Sequence, residues 1–204
     1  MAADPAWNAA QRLEGLAGEV RVNLIRLVAL VAFYGHHLVN VFVVRDNPSL
    51  QGAYHTVVTS LVLAWALAVL VIHYCLMRRW LPSVLKYVVT AWDILLITTL
   101  LMVSSDGRSM LAVLYFLVIV AAPLRLSLPL VWMATLGAMA GYAFFLGYVR
   151  WQLQMPPEQR LSRPQQIVFL LALGAAGLLA GQFVRQCRRL VRGAPVPVEE
   201  EASP

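Results

Sequence analysis

The chain has 204 residues, 60% hydrophobic and 13% charged, with a formal net charge of +6 and a mean hydropathy of +0.71. Soluble domains carry about a quarter charged residues, and one aqueous core of this size cannot hide so much apolar surface, which leaves the lipid bilayer as partner and excludes an ordinary soluble domain. The basic residues are scattered between apolar runs, which excludes a nucleic-acid surface. Cys75 and Cys187 stand alone, with no CxxC or CxxCH, which excludes a disulfide framework, a c-type haem attachment and a cysteine zinc site.

The N-terminal stretch MAADPAWNAAQRLEGLAGEV mixes polar, acidic and apolar residues. It lacks the basic and then apolar order of a cleavable signal peptide. Residues 1–21 are expected to form a cytoplasmic segment, with an amphipathic helix over 6–20 at the membrane surface. Six apolar segments follow, at about 22–44, 53–77, 85–104, 109–123, 128–149 and 165–185, with the fourth short and ending at Pro123. Crossing the hydrocarbon takes about 20 apolar residues, so the expectation is an all-α, six-helix transmembrane domain over 22–190. The connections RDNPSLQG, RRWLPSV, SSDGRS and PLRLSLP are short, which makes successive helices antiparallel neighbours in an up-down bundle. Only RWQLQMPPEQRLSRPQ is long enough for structure of its own. GAMAG and GLLAG place Gly137 with Gly141, and Gly177 with Gly181, at a spacing that lets helix backbones approach. The end of the chain, residues 191–204, is proline-rich and acidic and reads as a disordered tail.

Lys and Arg fix the orientation. Arg12, Arg21, Arg26, Arg78, Arg79, Lys86, Arg125, Arg185, Arg188, Arg189 and Arg192 fall on one side. Arg45, Arg108, Arg150, Arg160 and Arg163 fall on the other. Eleven against five puts both termini in the cytoplasm.

All four histidines lie in the first three eighths of the chain. His36 and His37, in FYGHHLVNVF, sit about 10–13 Å below the outer surface by helical rise, and His55 about 5 Å below it on the returning helix. Two imidazoles at similar depth on adjacent antiparallel helices suit the axial positions of a b-type haem. Neighbours on a helix point about 100° apart, so only one of His36 and His37 can face a given iron. Asn40 stands three residues after His37 and four after His36; it can orient either ring, and geometry leaves the choice open. Arg45 is placed to meet propionates. A copper or zinc ion on His36, His37 and His55 is a weaker reading, because no carboxylate or thiolate joins them. Purely structural histidines are the plain alternative, set against the cost of polar groups in lipid.

His73 lies about 27 Å further along its helix than His55, near the level of Arg26, Asp93 and Thr90. These four suggest an inner polar cluster. It is either an Arg26–Asp93 ion pair that fixes packing, with His73 reaching to the interface, or a protonatable quinone or ligand site. Trp65, Trp92, Tyr115 and Trp132 are candidate pocket walls, though aromatic residues at helical spacing are more often core.

FYGHHLVNVF, YHTVVTSLVLAWAL, LKYVVTAWDILLITTLL, DGRSMLAVLYFLVI and LRLSLPLVWMATLGAMAGYAFFLGY resemble the six-helix membrane anchor of certain bacterial class III adenylate cyclases, with related anchors on some kinases. The resemblance covers about residues 22–190. It implies a b-type, in some members diheme, cytochrome-like domain similar to succinate dehydrogenase membrane subunits, which answers to the redox state of the quinone pool and signals to the cyclase. It further implies haem b held by His37 and His55, with Asn40 orienting His37. His36 and His73 are the candidate ligands for a second haem, which their unequal depths allow only if a homodimer supplies a partner. QFVRQCRRLV resembles the exit helix leading to the output domain, here followed by a short acidic tail. The resemblance therefore leads to the expectation of an excised domain, a truncated homologue or a separate subunit.

No nucleophile–base constellation or phosphate loop is present, so no enzyme activity is expected. The expected function is a redox or quinone sensor in the bacterial inner membrane, with haem b and possible quinone binding, that signals through its last helix to a cytoplasmic partner. The rivals are a cytochrome b-like electron-transfer subunit and a haem-free receptor or anchor with structural histidines. A small transporter is disfavoured by the lack of a broken helix or inverted repeat.

Overall fold

The computed structural model describes residues 5–39, 41–42, 48–78, 84–104, 110–152 and 162–193. Every regular element among them is helical: α1 (Pro5–Val39), α2 (Pro48–Met77), α3 (Leu85–Val103), α4 (Leu114–Ala121), α5 (Leu128–Trp151) and α6 (Arg163–Gly193). Two 3-10 turns, Met110–Val113 and Ala122–Arg125, flank α4.

Among the described residues, five helices contain stretches long and apolar enough to cross a membrane: Ala17–Val39, Tyr54–Met77, Leu85–Val103, Leu128–Trp151 and Arg163–Leu190. The segment Leu111–Arg125 is apolar but shorter. Large side chains such as Leu63, Leu67, Leu171 and Leu179 stand exposed on these helices, as expected where the solvent is hydrocarbon and helices need no polar outer face. The first helix is continuous across the boundary expected at residues 21 and 22.

The core lies where α3, α4, α5 and α6 meet, around Ile97, Leu101, Tyr115, Ile119, Leu130, Tyr142, Phe145 and Leu173. α5 packs between α3 and α6, while α1 packs chiefly on α2. Two glycines show how close the backbones come. A Cβ at Gly177 on α6 would run into the side chain of Thr135 on α5, and one at Gly18 on α1 would run into the Leu124 carbonyl in the 3-10 turn. α4 ends at Ala121 and passes into the 3-10 turn that contains Pro123, and Leu126 then adopts φ 47, a left-handed conformation closed by its N–H donating to the Pro123 carbonyl at 2.8 Å. Extended Ser127 and Pro129 then start α5. The tight reversal places Arg125 and Ser127 inside the bundle, both buried.

Candidate functional site

One face of α1 organises the polar chemistry of the interior. Glu19, Asn23, Arg26, Leu30, Tyr34 and His37 follow one another at steps of four, three, four, four and three residues, which keeps them on one side of a helix. All but the half-buried Tyr34 are buried. Arg26 donates through Nε and Nη2 to Asp93 Oδ2 on α3, at 2.7 and 2.6 Å. The Asn23 amide donates to the Val69 carbonyl on α2 at 3.4 Å, and the Tyr34 and Thr59 hydroxyls lie 3.4 Å apart. Glu19 accepts from Arg125 Nη2 at 2.8 Å.

At the α1–α2 connection end, His37 and His55 face each other. Their Nε2 and Nδ1 atoms are 3.1 Å apart, the ring centroids 5.3 Å apart and the planes within 13° of parallel. His37 is buried at 6% exposure, and His55 is half-buried. Tyr34 stacks on His37, Tyr54 meets it edge-on, and Phe42 meets His55 edge-on. With one nitrogen of each neutral imidazole a donor and the other an acceptor, the facing atoms form a direct hydrogen bond. A Cβ on exposed Gly35 would meet nothing within 4 Å, so the helix flank there is open.

The second constellation lies about 16 Å along α1, eleven residues from His37 by helical rise. Besides Arg26, Asp93 accepts from the Trp65 indole N–H on α2 at 3.2 Å. Arg125 donates to the Thr90 hydroxyl at 2.8 Å and to the Lys86 carbonyl at 3.2 Å, and Thr90 donates to the same carbonyl at 2.8 Å. Lys86 Nζ lies 3.4 Å from the Ser127 hydroxyl. Arg26, Trp65, Thr90, Asp93 and Arg125 line a cavity of about 30 Å³ whose other walls are apolar residues of α1, α3, α4 and the 3-10 turn. Opposite charges within hydrogen-bonding distance offset the cost of burying each, while removal of one partner leaves the other uncompensated.

The structure therefore brings together His37 with His55, and Arg26 with Asp93 and Thr90. His36 is exposed. His73 is exposed on α2 and does not line the cavity, so the inner cluster forms without it. Asn40 and Arg45 lie outside the described residues. Of the four aromatic candidates, Trp65 lines the cavity, Tyr115 is buried with its hydroxyl 2.7 Å from Thr98, and Trp92 and Trp132 are exposed. Arg125 and Glu19 belong to the cluster but were read from sequence as a topology signal and as part of a surface helix. The α1 spacing is a signal for Glu19 alone, which it puts seven residues before Arg26 on one face.

A search against protein-family models, curated proteins and solved structures finds no match to this chain. Composition and apolar helices define its class as a multi-pass helical membrane protein.

The facing imidazoles fit haem b in their donor chemistry: two neutral nitrogens, one from each of two adjacent helices. Imidazole–metal bonds of about 2 Å put two axial nitrogens about 4 Å apart, roughly 1 Å wider than the 3.1 Å found here. The pair must open by that amount, and the Tyr34 and Tyr54 ring contacts must yield. Among the described residues no group of three or more His, Cys, Asp or Glu side chains is placed to hold a bare metal ion.

Proposed function

We propose that this chain is a membrane anchor and sensor domain that holds one haem b between α1 and α2, with His37 and His55 as axial ligands, and that signals to a cytoplasmic partner. The observation that carries this reading is the facing pair itself: the two imidazoles best matched in depth have their nitrogens directed at each other. Bound there, haem b supplies a one-electron redox centre. The chain's own residues hold the imidazoles in register, since Tyr34 ties α1 to Thr59 one turn below and the aromatic rings exclude water. A single haem is favoured, because His36 is exposed beside His37 and His73 sits at the far end of α2. The resemblance to cyclase anchors favours a redox or quinone signal and a bacterial inner membrane.

The same reading takes six crossings with both termini in the cytoplasm. The fourth segment, short by residue count, is lengthened by its 3-10 turns. Its eight α-helical residues rise about 12 Å and its eight 3-10 residues about 16 Å. Together they approach the hydrocarbon thickness of about 30 Å.

The second reading is a haem-free anchor with structural histidines, favoured by the direct 3.1 Å hydrogen bond and the aromatic contacts around it. Quantitation of pyridine haemochrome per chain, in protein made in haem-replete cells, separates the two. One haem per chain is the expected result, and none would leave the second reading.

A further inference from the structure

We propose that the cavity beside Arg26 and Arg125 is a water-binding site built into the bundle, holding about two water molecules that accept from the two guanidinium groups. Each arginine is more than nine-tenths buried, and each has one nitrogen without a protein acceptor: Nη1 of Arg26 and Nε of Arg125. Their other nitrogens are taken by Asp93, Thr90, the Lys86 carbonyl and Glu19. Buried donors in native proteins are almost always satisfied, by ordered water where no protein group reaches them.

Size and charge select the ligand. A buried water needs about 10–15 Å³ measured this way, so about 30 Å³ holds about two. A six-membered ring needs a cavity several times larger, about 150 Å³ in the case of benzene. A quinone ring would enter only if α1 and α4 moved apart. The two arginines are offset by Asp93 and Glu19, so the site calls for a neutral oxygen and not an anion. A water there has the two to four polar partners it requires: it accepts from a guanidinium N–H and donates to an oxygen of Asp93 or Thr90.

The site rests on the fold and not on haem binding, so a missing haem spectrum leaves it standing. Radiolytic hydroxyl labelling of the full chain in H₂¹⁸O tests it through Trp65, which is 6% exposed and lines the cavity. Tyr115 at 0% exposure is the dry standard and Trp151 at 75% the wet one. Trp65 is expected to take up ¹⁸O about tenfold faster than Tyr115, since radicals form at the bound water. Ala29→Val, which fills the cavity from α1, should slow Trp65 to the rate of Tyr115 and leave Trp151 unchanged; Ala121→Val fills it from α4 should the first variant fold poorly. Labelling of Trp65 at the rate of Tyr115 in the wild type would overturn the proposal. So would equal labelling in wild type and both filled variants, or protection of Trp65 by a co-purifying lipophilic carbonyl compound.

Discussion

Arg26 and Asp93 stand 2.6 Å apart and almost fully buried, and the physics of such pairs is asymmetric. Removing one partner leaves a buried charge and costs about 3–5 kcal/mol, whereas replacing both with apolar residues is often neutral. Arg26→Met and Asp93→Leu are each expected to lower stability by that order, and the double variant to recover most of the loss, as read by thermal unfolding in detergent. Additive losses would show that the pair does not act as a unit. The pair itself was legible in the sequence, because two opposite charges at equal depth in lipid have few other solutions. Arg125 and Glu19 were not. A basic residue next to a short connection looks the same whether it marks the cytoplasmic side or turns inward, and the left-handed Leu126 that turns it inward leaves no mark in composition.

At the scale of elements, the α4–α5 reversal and the α5–α6 contact carry opposite expectations for glycine. Leu126 occupies φ 47, where a non-glycine residue is strained by about 1–2 kcal/mol. Leu126→Gly is expected to raise the melting temperature or leave it unchanged, since relief of strain is set against lost side-chain burial. A marked drop would mean that the leucine side chain, not the backbone, defines this turn. Gly177→Val should do the reverse, because Thr135 occupies the space its side chain would need; overpacking of this kind costs about 1–3 kcal/mol. The GxxxG spacing pointed to close approach here without naming the partner. Helix positions were equally readable, since runs of about 20 apolar residues have one reading in lipid. The fourth segment was harder, as eight of its residues are 3-10 and hydropathy does not register rise per residue.

For the whole molecule, the parity of the crossings decides between the five long spans alone and six. Six place the termini on one side; five place them on opposite sides. Reporter fusions at the two ends are expected to give the same cytoplasmic signal, a fluorescent protein folding and a periplasmic phosphatase staying inactive at both. Opposite signals would remove the fourth segment from the list of crossings. The inward face of α1 links this topology to the site, since one helix carries His37 near one end of its apolar stretch Ala17–Val39 and Glu19 near the other, with Arg26 between. The central claim, that the facing imidazoles hold iron, is met most directly by a dithionite-reduced minus oxidised spectrum of the purified protein and its His37→Ala and His55→Ala variants. The account predicts a b-type α-band in the wild type that is lost in both variants while the helical circular dichroism is kept. A featureless wild-type spectrum, or a band that survives both substitutions, would contradict it.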